Sequence, residues 1–558
     1  MRAPGSRRRQ AATVVGSLLS ALLLLGVTAP GASAHAALLS TTPGDAEILD
    51  RPPSEVTLTF GEPVGIGLGS LKVLTATGAP ADDGTARRTD GGKVVHIPLR
   101  SGLAEGSYVV VWRVVSADSH PVAGAFTFSI GKPSVDAKEL LGRGNLTSLE
   151  KPSRAPGIAL GTSRFLGFSG LLVLLGGALF CLLLWPAGLP RLRPLLLAAA
   201  AVELVSAGLG LVLQGPYAAG RGLGDVTNGG LLRAVLDTQY GEATATRIGL
   251  AALALGAVAL VRRPSRLHAG ALVALGLALS ATWSAAGHAG VGEWQPLILV
   301  SDVGHLLAVS AWVGGLLVLV LGLRRWWTDA DSAQLLPGWS RLATWSVLLL
   351  VATGTLASFR EVGELSALFE TTYGRLLVTK VALVGLMLLF ALVGRAFVRE
   401  HYTAPPSAVA PAPTDEDVAG LRRSAGLEAG LAAVVLGVTA LLVNTTPAKA
   451  AFAPPYSGRS TAGPLTVQVD IYPARKGLNG LHVYTVGAGG RTVDVAEVTG
   501  DVVRSDGEKI TVQPRHKSLG HYEDLSFVLP AKGTWTIELQ IRTTDVESYP
   551  TSQTFTVK

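Results

Sequence analysis

Two hydropathy patterns divide the chain. Residues 161–445 contain eight apolar segments, each close to the roughly 20 residues that a helix needs to cross a bilayer. Residues 35–131 and 463–558 instead contain short runs in which apolar and polar positions alternate, separated by Gly, Pro and Asp. The pattern predicts a multidomain protein: an N-terminal β-sandwich, an eight-helix transmembrane bundle and a C-terminal immunoglobulin-like β-sandwich, joined by linkers at 132–160 and 446–462.

The individual elements follow from the same pattern. We expect membrane spans at 163–185, 195–214, 244–261, 268–287, 298–323, 341–359, 375–397 and 427–443. The expected strands of the N-terminal sandwich are 56–60, 70–75, 94–99, 108–115 and 125–130. Those of the C-terminal sandwich are 465–472, 481–486, 492–498, 509–512, 524–529, 534–542 and 552–557.

Basic residues predict the orientation of the bundle. The positive-inside rule places loops rich in Lys and Arg on the cytoplasmic side. Here the loops after the first, third, fifth and seventh segments are rich in Arg, whereas residues 288–297 contain no Lys or Arg. We therefore expect a multi-pass protein of the plasma membrane with both soluble domains extracytoplasmic. The residues that support this orientation are Arg191, Arg193, Arg262, Arg263, Arg266, Arg324, Arg325, Arg399, Arg422 and Arg423.

Residues 1–34 have the three parts of a secretory signal peptide. Basic residues come first, an apolar stretch follows at 14–27, and Ala32-Ser33-Ala34 forms a small-residue cleavage site. An uncleaved membrane anchor is the alternative. Cleavage would leave His35 as the first residue of the mature chain, where its amine and its imidazole can bind one metal ion together.

Composition limits the kinds of metal site. The chain has one Cys, Cys181, and two Met, Met1 and Met387. A disulfide within the chain, a Cys-based site and a Met-rich copper(I) site are therefore excluded, and His and carboxylate ligands remain. The net charge is +7, but the basic residues lie in short gaps between apolar segments, which argues against a nucleic-acid partner. Without a catalytic triad, phosphate loop or redox Cys pair, we predict no enzyme activity.

Asp118 and His120 form the clearest pair of ligating residues. They are spaced as i and i+2, so on an extended backbone both side chains point to the same face. With His35 they would offer one amine, two imidazoles and one carboxylate oxygen. Three nitrogens and one oxygen in a plane suit Cu(II), and the affinity order of divalent ions favours copper over zinc. Taken alone, the pair also fits an ordinary turn.

Several motifs of the N-terminal region resemble the CopC family of exported copper-binding proteins. They are HAALLSTTP at 35–43, TFGEPV at 59–64, VSADSHPVAG at 115–124 and FTF at 126–128. The resemblance implies a Cu(II) site at His35, Asp118 and His120. Glu62 matches an acidic residue near that site, and a capping or surface role is its alternative. Some members of the family have a second, Met-rich Cu(I) site. This sequence lacks those Met residues and so resembles the Cu(II)-only branch.

The membrane region resembles the CopD membrane domain. The motifs are DVGH at 302–305, WVGG at 312–315, RLATW at 341–345, TG at 353–354 and YGRLLVTK at 373–380. A CopC–CopD fusion in one chain resembles the YcnJ-type copper importers of Gram-positive bacteria. The C-terminal sandwich loosely resembles the YtkA-like exported domain.

Ionisable residues within the predicted spans are candidates for a membrane relay, because such residues are costly at depth and usually face the bundle interior. His305 lies about two turns into the fifth span, Asp302 lies one turn before it on the same face, and His288 closes the fourth span. Copper relay, haem ligation and a bond to a neighbouring helix are the three interpretations of His305. Glu203 and Lys380 are expected to be structural pair partners.

The sequence therefore predicts capture of Cu(II) outside the cell and passage of copper through the bundle for import. Because cytoplasmic carriers usually handle Cu(I), the copper could be reduced to Cu(I) during transport. A copper-sequestering tolerance protein and a haem-binding electron-transfer protein are the alternatives. The expected partners are the copper ion, the lipid bilayer and a copper chaperone or recipient cuproenzyme. His482, His516 and His521 could form an accessory copper site, but they share no spacing rule, so we expect ordinary structural roles for them.

Overall fold

A computed structural model shows two compact units, one made of helices and one that contains both β-rich regions. The fold class predicted from the sequence is confirmed: an N-terminal sandwich, a bundle with eight apolar spans and a C-terminal β-rich region. The structure describes residues 38–45, 47–61, 63–84, 86–116, 121–132, 134, 154–260, 265–287, 295–402, 414–443, 445, 447–452, 456–472, 474–487, 492–544 and 546–557.

The N-terminal sandwich consists of two four-stranded sheets, with strand orders β1-β3-β6-β5 and β2-β8-β7-β4. Every pairing is antiparallel except that of β2 with β8. The strands are β1 (Leu38–Thr42), β2 (Glu47–Leu49), β3 (Glu55–Phe60), β4 (Val64–Thr75), β5 (Arg87–Thr89), β6 (Val94–Pro98), β7 (Gly106–Ser116) and β8 (Pro121–Ile130).

Alternating side chains from both sheets form the core of this sandwich. In β3, Val56, Leu58 and Phe60 are buried and alternate with half-buried polar residues, as expected for a strand with one face on the core. The ring of Phe60 meets the edge of the Trp112 ring with 5.5 Å between centroids, which joins the two sheets. The strands β1, β2 and β5 were not predicted, because β2 and β5 have three residues each and β5 is exposed throughout.

Helices make up most of the described part of the membrane region. Two π-helical turns, Ser310–Gly314 and Gly322–Trp326, follow α6 and α7. The helices are α1 (Arg154–Leu183), α2 (Leu189–Ala218), α3 (Gly229–Leu236), α4 (Gln239–Leu260), α5 (Arg266–Ala285), α6 (Gln295–Val309), α7 (Gly315–Leu321), α8 (Asp329–Val362), α9 (Ala367–Glu370), α10 (Thr372–Tyr402), α11 (Asp415–Val443) and α12 (Ala448–Phe452).

Eight helical stretches among the described residues are long and apolar enough to cross a membrane. In chain order, spans 1 to 8 are Ala155–Leu183, Pro186–Ala218, Gln239–Leu260, Arg266–Ala285, Pro296–Trp326, Ala330–Val362, Thr372–Tyr402 and Asp415–Val443. Spans 6 and 8 begin well before their predicted apolar starts. Their first turns are polar and are fixed by capping pairs, Thr328 with Asp331 and Thr414 with Asp417, which hydropathy does not detect.

The C-terminal sandwich packs a five-stranded sheet, β14-β15-β11-β10-β9, on a four-stranded sheet, β13-β12-β16-β17, around one apolar core that includes Trp535. All its pairings are antiparallel. The strands are β9 (Tyr456–Ala462), β10 (Leu465–Tyr472), β11 (Gly477–Val486), β12 (Glu497–Arg504), β13 (Lys509–Val512), β14 (Arg515–Ser518), β15 (His521–Leu529), β16 (Gly533–Arg542) and β17 (Ser548–Val557).

Three details of this sandwich differ from the prediction. The strand β14 was not predicted. The strand β9 lies inside the stretch predicted as a linker and pairs with β10, so the sheet extends upstream of residue 463. The strand expected at 492–498 is wrong for most of its length, because β12 begins at Glu497. The Asp494 carboxylate accepts hydrogen bonds from His516 Nε2 and from the Gly520 amide, which holds this stretch as a connection between strands.

Close contact between spans 1 and 5 depends on glycine. A Cβ at Gly176 would overlap the carbonyl oxygen of Ser310, and a Cβ at Gly314 would overlap that of Leu172. Small residues let helix backbones approach in this way within a membrane, where van der Waals packing drives association. The π-helical turn of span 5 therefore packs directly on the backbone of span 1.

We expect Gly314→Ala to force these two spans apart and to destabilise the bundle by about 1–3 kcal/mol, the usual cost of overpacking. Gly249→Ala is the matched control, since a Cβ at that helical glycine would meet nothing within 4 Å. The control should be neutral or slightly stabilising. Thermal unfolding of the detergent-solubilised chain, followed by size-exclusion chromatography, measures both. Equal melting temperatures for the two variants would contradict the close contact.

Candidate metal centres

Five of the predicted metal-binding residues lie outside the described residues: His35, Glu62, Asp118, His120 and His288. Their side-chain geometry is therefore not part of the structure. The described strands nevertheless fix the points at which the segments carrying the four N-terminal residues begin and end.

These anchor points lie at one end of the N-terminal sandwich. Leu38, three residues after His35, pairs with Phe60 at the end of β3. The chain then passes residue 62 and enters β4 at Val64, which pairs with Ser116 at the end of β7. After residues 117–120 the chain enters β8 at Pro121, which pairs with Val115. The register thus brings the attachments of three predicted ligand segments to the same end of two packed sheets.

Local packing fixes this end of the sandwich. Phe60 and Val64 are each 1% exposed. The Arg88 guanidinium donates a hydrogen bond of 2.9 Å to the Val64 carbonyl. Gly124, within the VSADSHPVAG motif, leaves room for the Trp112 indole, because a Cβ there would approach Cζ2 of Trp112 to 2.6 Å. The strand ends are therefore a rigid frame for any ligand carried between them.

His305 in span 5 is hydrogen-bonded to span 6. Its Nδ1 lies 2.9 Å from Oγ1 of Thr353, and its Cε1 would lie 3.6 Å from a Cβ at Gly354. The Thr353 hydroxyl donates to the Leu349 carbonyl at 2.8 Å, so its oxygen accepts from Nδ1–H of His305. That assignment leaves the lone pair on Nε2, the arrangement in which a histidine binds a metal while its other nitrogen is held by a hydrogen bond.

Asp302 engages a different neighbour. Its Oδ2 accepts a hydrogen bond of 3.0 Å from Ser284 in span 4. Asp302 and His305 therefore connect span 5 to spans 4 and 6, respectively. Within the described part of the bundle, no three His, Cys, Asp or Glu residues converge on one point. His305 is thus held in a suitable orientation, but the described residues do not complete a metal site around it.

Glu203 has a structural role, as expected. Its Oε1 accepts a hydrogen bond of 2.8 Å from Trp283 Nε1, and the guanidinium of Arg247 lies 3.7 Å from the centroid of the same indole. Arg247 also donates to the carbonyl of Thr282 at 2.8 Å. This cluster joins spans 2, 3 and 4. Lys380, the other residue expected to be a pair partner, is half-buried in span 7.

Sequence reasoning missed a second buried carboxylate in the bundle. Glu428 in span 8 is 6% exposed and accepts a hydrogen bond of 2.8 Å from the indole nitrogen of Trp312. Trp312 belongs to the WVGG motif of span 5, so this bond ties the motif to the last span. The Glu in an otherwise apolar segment was the available signal.

Three family models match successive parts of the chain. Residues 38–131 match the CopC domain, 155–295 the N-terminal domain of copper resistance protein D-like proteins, and 333–442 copper resistance protein D. Copper resistance protein D of Pseudomonas syringae is 30% identical over 305 residues, which are 51% of this chain and 95% of that protein. The chain belongs to the CopC and CopD families.

One relative matches this chain over nearly its whole length. The copper transport protein CutJ of Bacillus subtilis is 27% identical over 551 residues, which are 94% of this chain and 96% of that protein. The solved structure of CopC from Methylosinus trichosporium is 30% identical and covers 18% of this chain and 98% of its own, with a TM-score of 0.16. The predicted CopC–CopD fusion is confirmed, and the chain is a multi-pass membrane protein. The YtkA-like resemblance stays a prediction.

The C-terminal sandwich of this CopC–CopD fusion contains a buried histidine pair that no sequence spacing indicated. His482 Nδ1 on β11 lies 3.1 Å from His521 Nε2 on β15, and the two residues are 3% and 2% exposed. Burial, with further contributions from His482, Lys517 and His516, lowers the pKa of His521 to about 3. Burial also lowers the pKa of His482. Both imidazoles are therefore neutral at neutral pH.

Acidification should destabilise the C-terminal sandwich. Between the ordinary histidine pKa of 6.5 and about 3, the unfolded chain binds a proton at residue 521 that the folded chain does not. Stability should therefore fall as the pH drops through this window. Hydrogen exchange of β11 and β15 peptides in the intact protein, corrected for intrinsic pH dependence, measures the loss. His521→Gln should make the dependence shallower; an unchanged slope in this variant would contradict the assignment.

Proposed function

We propose that this CopC–CopD protein captures Cu(II) outside the cell at His35, Asp118 and His120 and passes copper through the bundle for import. The observation that carries the capture step is the strand register, which anchors the segments of these residues at one end of the CopC sandwich. The His and Asp ligands give the nitrogen and oxygen donors that Cu(II) prefers. Glu62 lies in the segment anchored at the same end and would adjust the charge near the ion.

His305 is proposed as the first intramembrane contact of the copper. Its bond to Thr353 orients the ring and leaves Nε2 with a lone pair, while Gly354 makes room for the ring. Asp302 and His288 would serve the same outer mouth, given the orientation that the Arg-rich loops favour. This orientation puts both soluble domains on the extracytoplasmic side, so captured copper would not need to cross the membrane before reaching the bundle.

The two alternatives make different demands on the bundle. A sequestering protein needs only an anchor, and eight spans exceed that need. A haem electron-transfer protein would require paired axial ligands, of which His305 could supply one through Nε2. Copper delivery through the bundle makes use of both family domains and of the confirmed fusion. A copper chaperone or a cuproenzyme is the expected recipient inside the cell.

Copper accumulation by cells that express the full chain tests this proposal. His305→Ala should abolish accumulation above background. Thr353→Val, which keeps the shape but removes the hydroxyl, should lower copper affinity by about 10–100-fold, and Thr353→Ser should restore it. Asp118→Ala and His120→Ala should reduce accumulation only at low external copper, because they remove the capture site.

Two variants control for general damage. Thr355→Val lies on the same helix as Thr353, and the Thr355 hydroxyl bonds the Val351 carbonyl of its own helix at 2.7 Å. His268→Gln changes an exposed histidine that bonds Ser265. Both should transport normally. If His305→Ala accumulates as much copper as the wild type at equal expression, His305 is not a relay residue. A Soret band in the purified protein would favour haem binding instead.

A further inference from the structure

We propose that His482, His521 and Glu523 form a second Cu(II) site, located in the C-terminal sandwich. Each of these residues offers one ligand atom, and the three atoms lie within 4.8 Å of one another, close enough to hold one ion. Among the described residues, no other three His, Cys, Asp or Glu side chains meet this condition. The choice of copper over other divalent ions rests on the proposed function and on the affinity order for nitrogen-rich sites.

The strand pairing creates this cluster. His482 on β11 lies directly opposite Glu523 on β15, and His521 precedes Glu523 by two residues, so all three side chains are on one face of the sheet. Imidazole nitrogens bind first-row divalent ions at about 2.0 Å, and two such nitrogens separated by roughly 90–109° at the ion lie about 2.8–3.3 Å apart. The 3.1 Å between His482 Nδ1 and His521 Nε2 fits this range.

The charges around the cluster also suit a cation. The ammonium of Lys517 lies 2.9 Å from Oε1 of Glu523, so a positive charge already neutralises the carboxylate. The Lys517 side chain is 58% exposed, whereas that of Glu523 is 15% exposed. Lys517 can therefore swing into solvent at little cost when a metal ion replaces it. Two neutral imidazoles and one carboxylate would then face the ion.

The site is distinct from the predicted CopC site. The ring of Tyr484 stacks on His521 with 4.4 Å between centroids and also lies against Gly44 of the CopC sandwich. Gly44 lies three residues before β2, which pairs with β8 at Phe128. Phe128 is seven residues along β8 from Pro121, where the segment 117–120 is attached. At about 3.3 Å per residue, Phe128 is therefore about 23 Å from that end of the CopC sandwich. The cluster therefore adds a site and does not supply a missing ligand to the first one.

The two outer sandwiches meet beside this site. Thr492 donates from its hydroxyl to the Ile48 carbonyl at 2.8 Å, and the Ile48 amide donates to the same hydroxyl at 3.2 Å. With the Tyr484 ring against Gly44, these bonds hold the CopC sandwich on the face of the C-terminal sandwich near His521. Copper bound to the cluster would thus be retained next to the capturing domain.

Counting the Cu(II) ions bound by the purified, demetallated full chain in detergent tests the proposal. The wild type should bind two equivalents. Glu523→Gln, which leaves the apolar core intact, should weaken one of them by at least about 10-fold, and His521→Gln should abolish it. His516→Gln is the matched control, because His516 Nε2 is bonded to Asp494 at 3.0 Å, outside the cluster. It should retain both equivalents.

Three outcomes would overturn the site: a single wild-type equivalent that His120→Ala abolishes, two unchanged equivalents in Glu523→Gln, or a second equivalent that Zn(II) displaces at equal concentration. The His120→Ala variant separates this proposal from the capture site. Loss of one equivalent in His120→Ala with retention of the one that Glu523→Gln weakens would support two independent sites. A single wild-type equivalent that His120→Ala leaves intact and that Glu523→Gln weakens would count against the capture site and leave the C-terminal one standing.

Discussion

The register between the two sheets of the CopC sandwich is the constraint on which the proposed capture site depends. Leu38 pairs with Phe60 in one sheet, and Val64 pairs with Ser116 in the other. Along the chain only residues 61–63 separate these two pairs, and the Phe60–Trp112 contact joins the sheets through the core, so a slip of either sheet would break these connections. A one-residue slip would also turn the buried side chains outward. The apolar core therefore determines which chain segments meet at this end, before any metal binds.

A similar dependence operates in the bundle. Backbone contact of span 1 with span 5 requires Gly176 and Gly314, and this contact sets the position of the helix that carries His305. The Thr353 hydroxyl then orients the imidazole, and the buried carboxylates of Glu203 and Glu428 bond indole nitrogens that fix spans 4 and 5. Polar groups in lipid are expensive unless they are paired. Pairing them between helices gives the bundle a defined arrangement around His305.

The sequence predicted elements whose periodicity is strong. All eight spans and the alternating strands, such as β3 and β16, were predictable because one face or the whole element is apolar. The short strands β2 and β5 have too few residues to show a period, and β9 was mistaken for a linker. The stretch at 492–498 alternates in sequence, but the Asp494 carboxylate bonds hold it outside the sheet.

The candidate sites show the same division. Local spacing was sufficient to propose Asp118 with His120 and Asp302 with His305; the first pair stays a prediction, and the members of the second bond different spans. The approach of His482 to His521 depends on the pairing of β11 with β15, 39 residues apart, which no spacing rule contains. The bond between Trp312 and Glu428 spans 116 residues in the same way. Contacts set by strand register and helix packing therefore lay beyond sequence reasoning.

The most direct test of the central claim is the Cu(II) electron paramagnetic resonance spectrum of the mature full chain at one equivalent of copper, in a His521→Gln background. Capture at His35, Asp118 and His120 predicts three nitrogen donors and one carboxylate oxygen, and a changed, weaker site when one glycine is added before His35. His96→Gln is the control, because His96 is bonded to Glu55 at 2.8 Å within the same sandwich. An identical spectrum and affinity in the glycine-extended chain would contradict capture by the amine and imidazole of His35.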